Sequence, residues 1–376
     1  MRGIVKMIGY IFAGLIILVA FSVFLFVNLQ PDFGGKPTKV QKEKYKLSQN
    51  YREGKFVNQI PTEMSMDFRT GISVMREFIK GTPQSRPKSS LPVLEIDSIE
   101  IANKLDSKSR ITWFGHSSFL IEMDGIKLLI DPMFSNTPAP HPALGPSRFT
   151  QKMPIEIEKL PWIDAVVISH DHYDHLDYSS IKKLNEKVGS FYVPLGVAPH
   201  LIRWGVDKDK IHELEWWDEI KTSSITLICS PSRHFSGRRL MDRFSTLWCS
   251  WIILGSSERI YFSGDSGYGP HFKEIGEAYG PFDLALLECG QYDKRWHNIH
   301  MLPEETVQAA IDVKAETMMP IHWGAFKLAL HSWTDPVDRV SVAAKSRNVS
   351  ITTPQIGESI IIADSIFPKS KWWIGL

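Results

Sequence analysis

An excess of charge of either sign is missing from this 376-residue chain: 43 Lys and Arg stand against 42 Asp and Glu, a formal net charge of +1. That leaves no basic excess for a nucleic-acid-binding surface, and no nucleic acid partner is expected. Cysteine is scarce. Cys229, Cys249 and Cys289 are scattered, with no Cys-x-x-Cys, so no disulfide framework is implied and all three are expected as buried thiols. There is no low-complexity tract and no internal repeat beyond a recurring pattern of strand then ligand. With 43% apolar and 23% charged residues, the composition is that of an ordinary globular protein, long enough for one large domain plus an extension.

Charge is absent altogether from Ile8 to Val27. As a helix this run would extend about 30 Å, the thickness of a bilayer core. It is longer than the apolar part of a signal peptide, and Val27-Asn28-Leu29-Gln30 is a poor cleavage site. The expectation is a short tail over 1–7 and a single-pass, uncleaved membrane anchor over 8–29. Arg2 and Lys6 precede the span, while Lys36, Lys39, Lys42, Lys44 and Lys46 come after it. The positive-inside rule alone would put the catalytic domain on the cytoplasmic side. N-terminal anchors nevertheless often export the domain behind them, so sidedness stays open. The lysines read equally as a solvated linker or as a patch resting on anionic lipid.

The densest chemistry lies in Ser169-His170-Asp171-His172-Tyr173-Asp174-His175-Leu176-Asp177, with three histidines and three aspartates. Imidazole nitrogen and carboxylate oxygen are the ligands that zinc and its neighbours prefer. The H-x-H-x-D-H core supplies half-sites for two metals. The run comes directly after Ala165–Ile168, a continuous apolar stretch typical of a buried strand. The pattern repeats: Ile225–Cys229 precedes His234, Arg259–Ser263 precedes Gly264-Asp265, and Thr317–Ile321 precedes His322. Four strand ends thus deliver His170, His172, Asp174, His175, His234, Asp265 and His322. Seven ligands suit two metals sharing one carboxylate.

Elsewhere, Ser118–Met123 and Ile126–Asp131 flank Asp124-Gly125 and read as a hairpin. Helices are expected over Asp67 to Lys80, Ser179 to Lys187 and Pro303 to Val313. The twelve tryptophans include the pairs Trp216-Trp217 and Trp372-Trp373. The second pair, beside Lys369 and Lys371, reads either as core or as an anchor in a bilayer interface.

In order and spacing, these ligands resemble the signature of the metallo-β-lactamase superfamily. Further stretches resemble its N-acylphosphatidylethanolamine-hydrolysing phospholipase D family: Ile111–Ser118, Leu129–Ser135, Gly145–Phe149, Leu240-Met241-Asp242, Leu247–Trp251, Gly264–Tyr268, Gly280–Ala285, His300 with Pro303-Glu304-Glu305, and Ile321–Gly324. Matches in Gly54–Asn58 and Leu91–Leu94 carry the resemblance back to about Tyr51. The chain departs from the mammalian-type pattern at Ile299, where those enzymes carry Gln, and in the Pro-rich loop Thr137 to Leu144.

The resemblance implies an α/β (α+β) fold, a four-layer αβ/βα sandwich with the metals at one edge. It implies a catalytic domain over 108–376, with the extension 30–107 packed on it. It places His170, His172 and His234 on a first metal, Asp174, His175 and His322 on a second, and Asp265 between them. Two zinc ions are the default, iron or manganese being compatible. Asp174 and Asp265 would position the attacking water and take its proton. His300 would reach the substrate phosphate or protonate the leaving oxygen. Asp131 and Asp177, each ending a motif, would orient metal-binding imidazoles. His116 reads as a partner of the ligands, a site-lining residue or a buried structural histidine. The remaining histidines (His141, His200, His212, His271, His297 and His331) lack ligand spacing and read as structural or exposed. The implied activity is a phospholipase D acting on phospholipid in a bilayer, with a homodimer as the family-level expectation. Two alternatives remain: a hydrolase of a soluble phosphorylated metabolite or lactone on the same metals, and a membrane-tethered binding protein with a vestigial site. The second is disfavoured by the presence of all seven ligands.

Overall fold

A computed structural model describes the whole chain except Met1, 64–66, 103–107, Leu240, Ala363, Ser365 and Ile366. The expected end of the extension at 107, and Leu240 of the Leu240-Met241-Asp242 match, therefore lie outside the described residues.

Helix α1 (Arg2–Leu29) has no buried residue and is long and apolar enough to cross a membrane. It starts earlier than the uncharged run, so most of the expected tail is helical. Arg2 and Lys6 are good helix formers, and the backbone pattern does not stop where hydropathy does. A reciprocal Thr38–Gln41 cap opens α2 (Lys39–Tyr45). Strands β1 (Tyr51–Arg52) and β2 (Lys55–Phe56) make a small hairpin. Asp67 caps Thr70 N at the start of α3 (Phe68–Lys80), and α4 (Ser98–Ala102) comes next. The extension lies on the body through backbone bonds from Phe56 N to Phe244 O, Leu91 N to Phe149 O and Leu94 N to Ile356 O. Tyr45 and Phe56 are buried in the main core.

The body contains β3 (Arg110–Trp113), β4 (Phe119–Met123), β5 (Ile126–Ile130), β6 (Ile163–Val167), α5 (Tyr178–Leu184), β7 (Val188–Pro194), α6 (Ala198–Arg203), β8 (Ile211–Leu214), β9 (Glu219–Lys221) and β10 (Thr226–Ser230). It continues with β11 (Ser250–Leu254), β12 (Arg259–Phe262), α7 (His271–Ala278), β13 (Phe282–Glu288), α8 (Pro303–Asp312), β14 (Ala315–Ile321), α9 (Asp335–Ser346) and β15 (Ser359–Ile361). One sheet has the order β15-β3-β4-β5-β6-β7-β8, the other β14-β13-β12-β11-β10-β9.

Strand alternation builds the layers. Phe119 and Ile121 face the core between the sheets, while Leu120 faces the outer cluster shared with α5 and α6. On the far side, Phe272, Val307, Ala310, Val337 and Val340 bring α7, α8 and α9 onto the second sheet. The result is the expected four-layer αβ/βα sandwich. The Asp124-Gly125 turn has φ of +50° and +79°, as a two-residue hairpin of right-handed twist demands.

Pairing directions decide where the chemistry collects. Strands β3, β5 and β6 run the same way in the first sheet, and β10, β12, β13 and β14 do so in the second. The C-terminal ends of these strands deliver His116, Asp131, His170 to His175, His234, Asp265, Glu288 and His322 to one edge.

Candidate metal centre

The segment after β6 is clamped from below by Asp131. One carboxylate oxygen accepts Ser169 N at 2.7 Å; the other accepts the Ser169 hydroxyl and His175 Nδ1, the latter at 2.7 Å. His175 N and Leu176 N both bond to His172 O, closing a turn that gathers the three histidines. Gly264 (φ +56°) lets β12 end against this turn: a Cβ there would sit 2.7 Å from Cys249 O and 2.9 Å from Ser169 Cβ. His116, Asp131 and His322 all have left-handed backbone, at φ of +56°, +40° and +66°. Such strain costs about 1–3 kcal/mol per residue and persists only where the surroundings impose it. Here His322 N bonds to His116 O at 3.1 Å, locking two of the three together.

The side chains fall into three overlapping groups, the third being Asp265, Glu288, His300 and His322. In the first, His170, His172, His234 and Asp265 bring ligand atoms within 4.8 Å of one another. His172 Nδ1 lies 2.9 Å from His170 Nε2 and 3.2 Å from His234 Nε2. His234 Nδ1 donates to Ile299 O at 2.9 Å, and His170 Nδ1 lies 3.0 Å from Ser169 Oγ. Each of these two rings is thereby turned so that its other nitrogen is bare. Lone pairs aimed at one point repel unless a cation sits among them.

The second group is His116, Asp174, His175 and His322. His175 Nε2 lies 3.5 Å from Asp174 Oδ2 and 3.2 Å from Asp265 Oδ1, and His322 Nδ1 lies 3.1 Å from Asp265 Oδ1. Asp265 therefore touches both groups, its other oxygen being 3.7 Å from both His170 Nε2 and His234 Nε2.

Burial and the neighbouring rings hold the His170, His234 and His322 imidazoles well below their ordinary value, so they are neutral donors. Burial opposes charge on Asp174 and Asp265, yet His175 and its neighbours hold both carboxyls well below the usual range. His175 Nε2 and Asp265 Oδ1 are buried with no hydrogen-bond partner. His175 goes the other way: burial opposes its charge, but Asp265, Asp174 and Asp131 raise its ring well above its ordinary value. The neutral His170, His234 and His322 rings, the ionised carboxylates and the orphaned buried atoms are what a pair of divalent cations would satisfy.

The remaining sequence candidates sort differently. His116, fully buried, places Nε2 2.8 Å from Asp174 Oδ2, so it belongs to the second cluster rather than to a distant support. Asp177 is corrected: its carboxylate caps α5 through Ser180 N at 3.2 Å and holds Ser135 N at 3.1 Å. An aspartate before Tyr-Ser-Ser serves a helix N-terminus as readily as an imidazole. The Trp372-Trp373 pair is not set for a bilayer either, because Trp373 is buried and Trp372 stacks on Trp323. Asp171 points away from the centre. Burial pushes its carboxyl up, but His200 and Gly237 N–H pull it down to about 2.

His300 stands 5.0 Å from His234 and 5.3 Å from His322, ring centre to ring centre. Its Nδ1 lies 2.8 Å from Glu288 Oε2, and Glu288 Oε1 accepts Met301 N at 2.6 Å. Glu288, fully buried at the end of β13, is absent from the sequence candidates, although it obeys the same strand-end rule as the ligands. Burial pushes its carboxyl up to about 8 while His300 pulls the other way. Burial lowers the His300 ring, but Glu288 more than compensates. The pair keeps hold of a proton into neutral pH. His172, Asp174, Asp265, His300 and His322 open into a cavity of about 480 Å³, whose other walls include Pro138, Tyr173, Phe235, Trp296, Ile299 and Leu328.

Comparison with known proteins agrees with this geometry. Residues 127–323 match the family model of the beta-lactamase superfamily domain. An uncharacterized protein of Mycobacterium tuberculosis is 42% identical over 333 residues, 87% of each chain. N-acyl-phosphatidylethanolamine-hydrolyzing phospholipase D 1 of Caenorhabditis elegans is 34% identical over 290 residues, 72% of this chain and 80% of that one. The crystal structure of isothiocyanate hydrolase from Delia radicum gut bacteria shares the fold, with a TM-score of 0.54 at 19% identity, over 67% of this chain and 98% of that one. The chain belongs to the metallo-β-lactamase superfamily.

Proposed function

We propose that this metal-dependent hydrolase is a membrane-anchored, dinuclear zinc phosphodiesterase of phospholipase D type. It cleaves N-acylphosphatidylethanolamine-like phospholipids to phosphatidic acid and an N-acylethanolamine. The observation that carries the reading is Asp265 shared between two ligand groups at the floor of a cavity whose walls are largely apolar. The phospholipase D relative in C. elegans supports the substrate class, and the apolar α1 supports a bilayer setting.

His170, His172 and His234 would hold one metal, and Asp174, His175 and His322 the other, with Asp265 between. Bound there, the metals would acidify water and neutralise charge on the phosphoryl oxygens. The chain does the rest. Asp174 and Asp265 orient the attacking water and accept its proton. The water oxygen bonds to phosphorus as the bond to the ethanolamine oxygen breaks. Glu288 fixes His300 by Nδ1, leaving Nε2 to hand a proton to that leaving oxygen. Phe235, Trp296, Ile299 and Leu328 keep bulk water out and pack acyl chain.

The test is hydrolysis of N-acylphosphatidylethanolamine vesicles by metal-loaded protein, with His172→Ala as control. Phosphatidic acid from the wild type alone is expected. No product at full metal occupancy would overturn the substrate assignment. It would favour a soluble phosphorylated metabolite or a lactone.

A further inference from the structure

The end of α1 is built into the catalytic body rather than hinged from it. Arg203 donates to Gly34 O at 2.7 Å and to Asn28 O at 3.0 Å, capping the last turn of the helix. Trp204 Nε1 donates to Pro31 O, and Arg239 donates to Gly34 O. Phe33 is buried between Phe26 of the helix and Tyr173 of the metal loop, at ring separations of 5.4 and 6.4 Å. Gln30 donates to Pro140 O at 2.8 Å, in the loop that supplies Pro138 to the metal cavity. Two walls of that cavity, Pro138 and Tyr173, are thus tied to the segment leaving the helix.

Around this foot stand three apolar side chains with no core to join: Leu144 is 63% exposed, Ile202 44% and Met241 94%. Each lies within a few residues of a group that grips the foot: Pro140, Arg203 and Arg239. Beside Met241, a second cavity of about 800 Å³ is lined by Lys36, Lys42, Lys46 and Arg239 and also by Glu43, Glu53 and Asp242; Lys46 pairs with Glu43 and Arg239 with Asp242, while Lys36 and Lys42 add positive charge. Exposed apolar wedges, one of them beside a cavity bearing lysines, on the face from which a membrane-length helix leaves, match a bilayer surface bearing anionic headgroups.

Resting on the phospholipase reading and its anchor, we propose that this face lies on the bilayer that α1 spans. Leu144, Ile202 and Met241 sit in the headgroup layer, and the metal cavity takes its phospholipid from that same leaflet.

Two measurements on full-length protein in vesicles of phosphatidylcholine with phosphatidylglycerol test this. Leu144→Cys, Ile202→Cys and Met241→Cys are labelled singly with a polarity-sensitive fluorophore; the native cysteines are all buried. Val342→Cys, 69% exposed on α9 in the opposite outer layer, is the control. Emission blue-shifted and quenched by brominated lipid at the three foot positions, but not at the control, is expected. Water-like emission at all four positions overturns the proposal whether or not any lipid is hydrolysed. In the second measurement, N-acylphosphatidylethanolamine is placed in the protein's own vesicles or in separate ones. Turnover at least tenfold faster in the shared vesicles is expected; equal rates overturn uptake from the same leaflet. Failure in both arrangements instead counts against the substrate assignment, and the fluorescence then decides the membrane face alone.

Discussion

Replacing Asp131 by Asn tests the metal centre most directly, because it changes no ligand and almost no volume. Asp131 accepts three hydrogen bonds, from Ser169 N, Ser169 Oγ and His175 Nδ1. An amide has one acceptor oxygen. If that oxygen keeps Ser169 N, the amide NH₂ faces His175 Nδ1, and donor meets donor. The ring must then move its proton to Nε2, the atom that faces Asp174 and Asp265, or rotate out of line. Either change removes one nitrogen from the second metal group and leaves His170, His172 and His234 in place. Losing the partner of a ligating imidazole costs about 10- to 100-fold in metal affinity, or about 1.4–2.7 kcal/mol. Zinc titration with mass-spectrometric metal counting should therefore show one site within about threefold of wild type and one weakened by that factor. Circular dichroism of the metal-free protein separates this from unfolding. Two unchanged sites, or equal weakening of both in a folded protein, would refute the orienting role assigned to Asp131.

Glu288→Gln should keep both metals yet lower kcat by about 10²-fold, since an amide that accepts Met301 N can only donate to His300 Nδ1, which holds the ring as a neutral Nε2–H tautomer without the carboxylate that supports its cationic, proton-giving form; an unchanged kcat would remove His300 from the chemistry. Stripping the metals with a chelator should lower the melting temperature by several degrees, because two ions at 100 times Kd stabilise by about 5 kcal/mol together. Differential scanning calorimetry before and after zinc readdition checks it, and identical melting curves would argue against a resident metal pair. His271 gives a pH test on a histidine that is not itself a ligand. It is buried, with Nε2 3.0 Å from Ser266 Oγ, and burial together with Arg233 pushes its ring down to about 3. The unfolded chain therefore binds a proton that the folded one refuses, and stability falls as pH drops from about 6.5 toward 3, by up to about 1.4 kcal/mol per unit. His271→Asn should flatten that slope in urea titrations between about pH 6.5 and 4.5; an undiminished slope would locate the acid sensitivity elsewhere.

What the sequence reveals here is what is local. The Asp124-Gly125 hairpin, the Asp67-capped helix and the apolar strands before each ligand are short windows whose periodicity or turn chemistry is self-contained. The His170–His175 run carries its chemistry in its spacing. Glu288 stays hidden because it ends a run of buried apolar residues, and nothing within ten residues announces His300, twelve positions on, as its partner. Asp177 misleads for the complementary reason: its N-cap role depends on a helix start that the flanking residues only weakly mark. Trp372-Trp373 is the same problem in composition. An aromatic pair beside lysines is what an interface would use, but Trp323, some fifty positions earlier, decides the matter by stacking on it.

Arg238 carries this furthest and joins the segment after α1 to the ligand turn. Its side chain is buried, and burial drags its guanidinium below the usual range even though Tyr173 and Asp171 resist. A cation is held in such a place only where the geometry of its partners is good. Those partners are the carbonyls of Asp32, Asp171 and Leu176 and the face of Tyr173, whose ring centre is 4.1 Å away. One of the carbonyls belongs to the segment leaving α1, and the other two bracket the His172–His175 turn. A water-soluble hydrolase could let its leader hang free at no cost to the metal loop. Here one guanidinium donates by Nη1 to the two loop carbonyls and by Nε to Asp32 O in the segment below the apolar helix, so the same buried charge touches both the ligand turn and the place where that helix leaves the body.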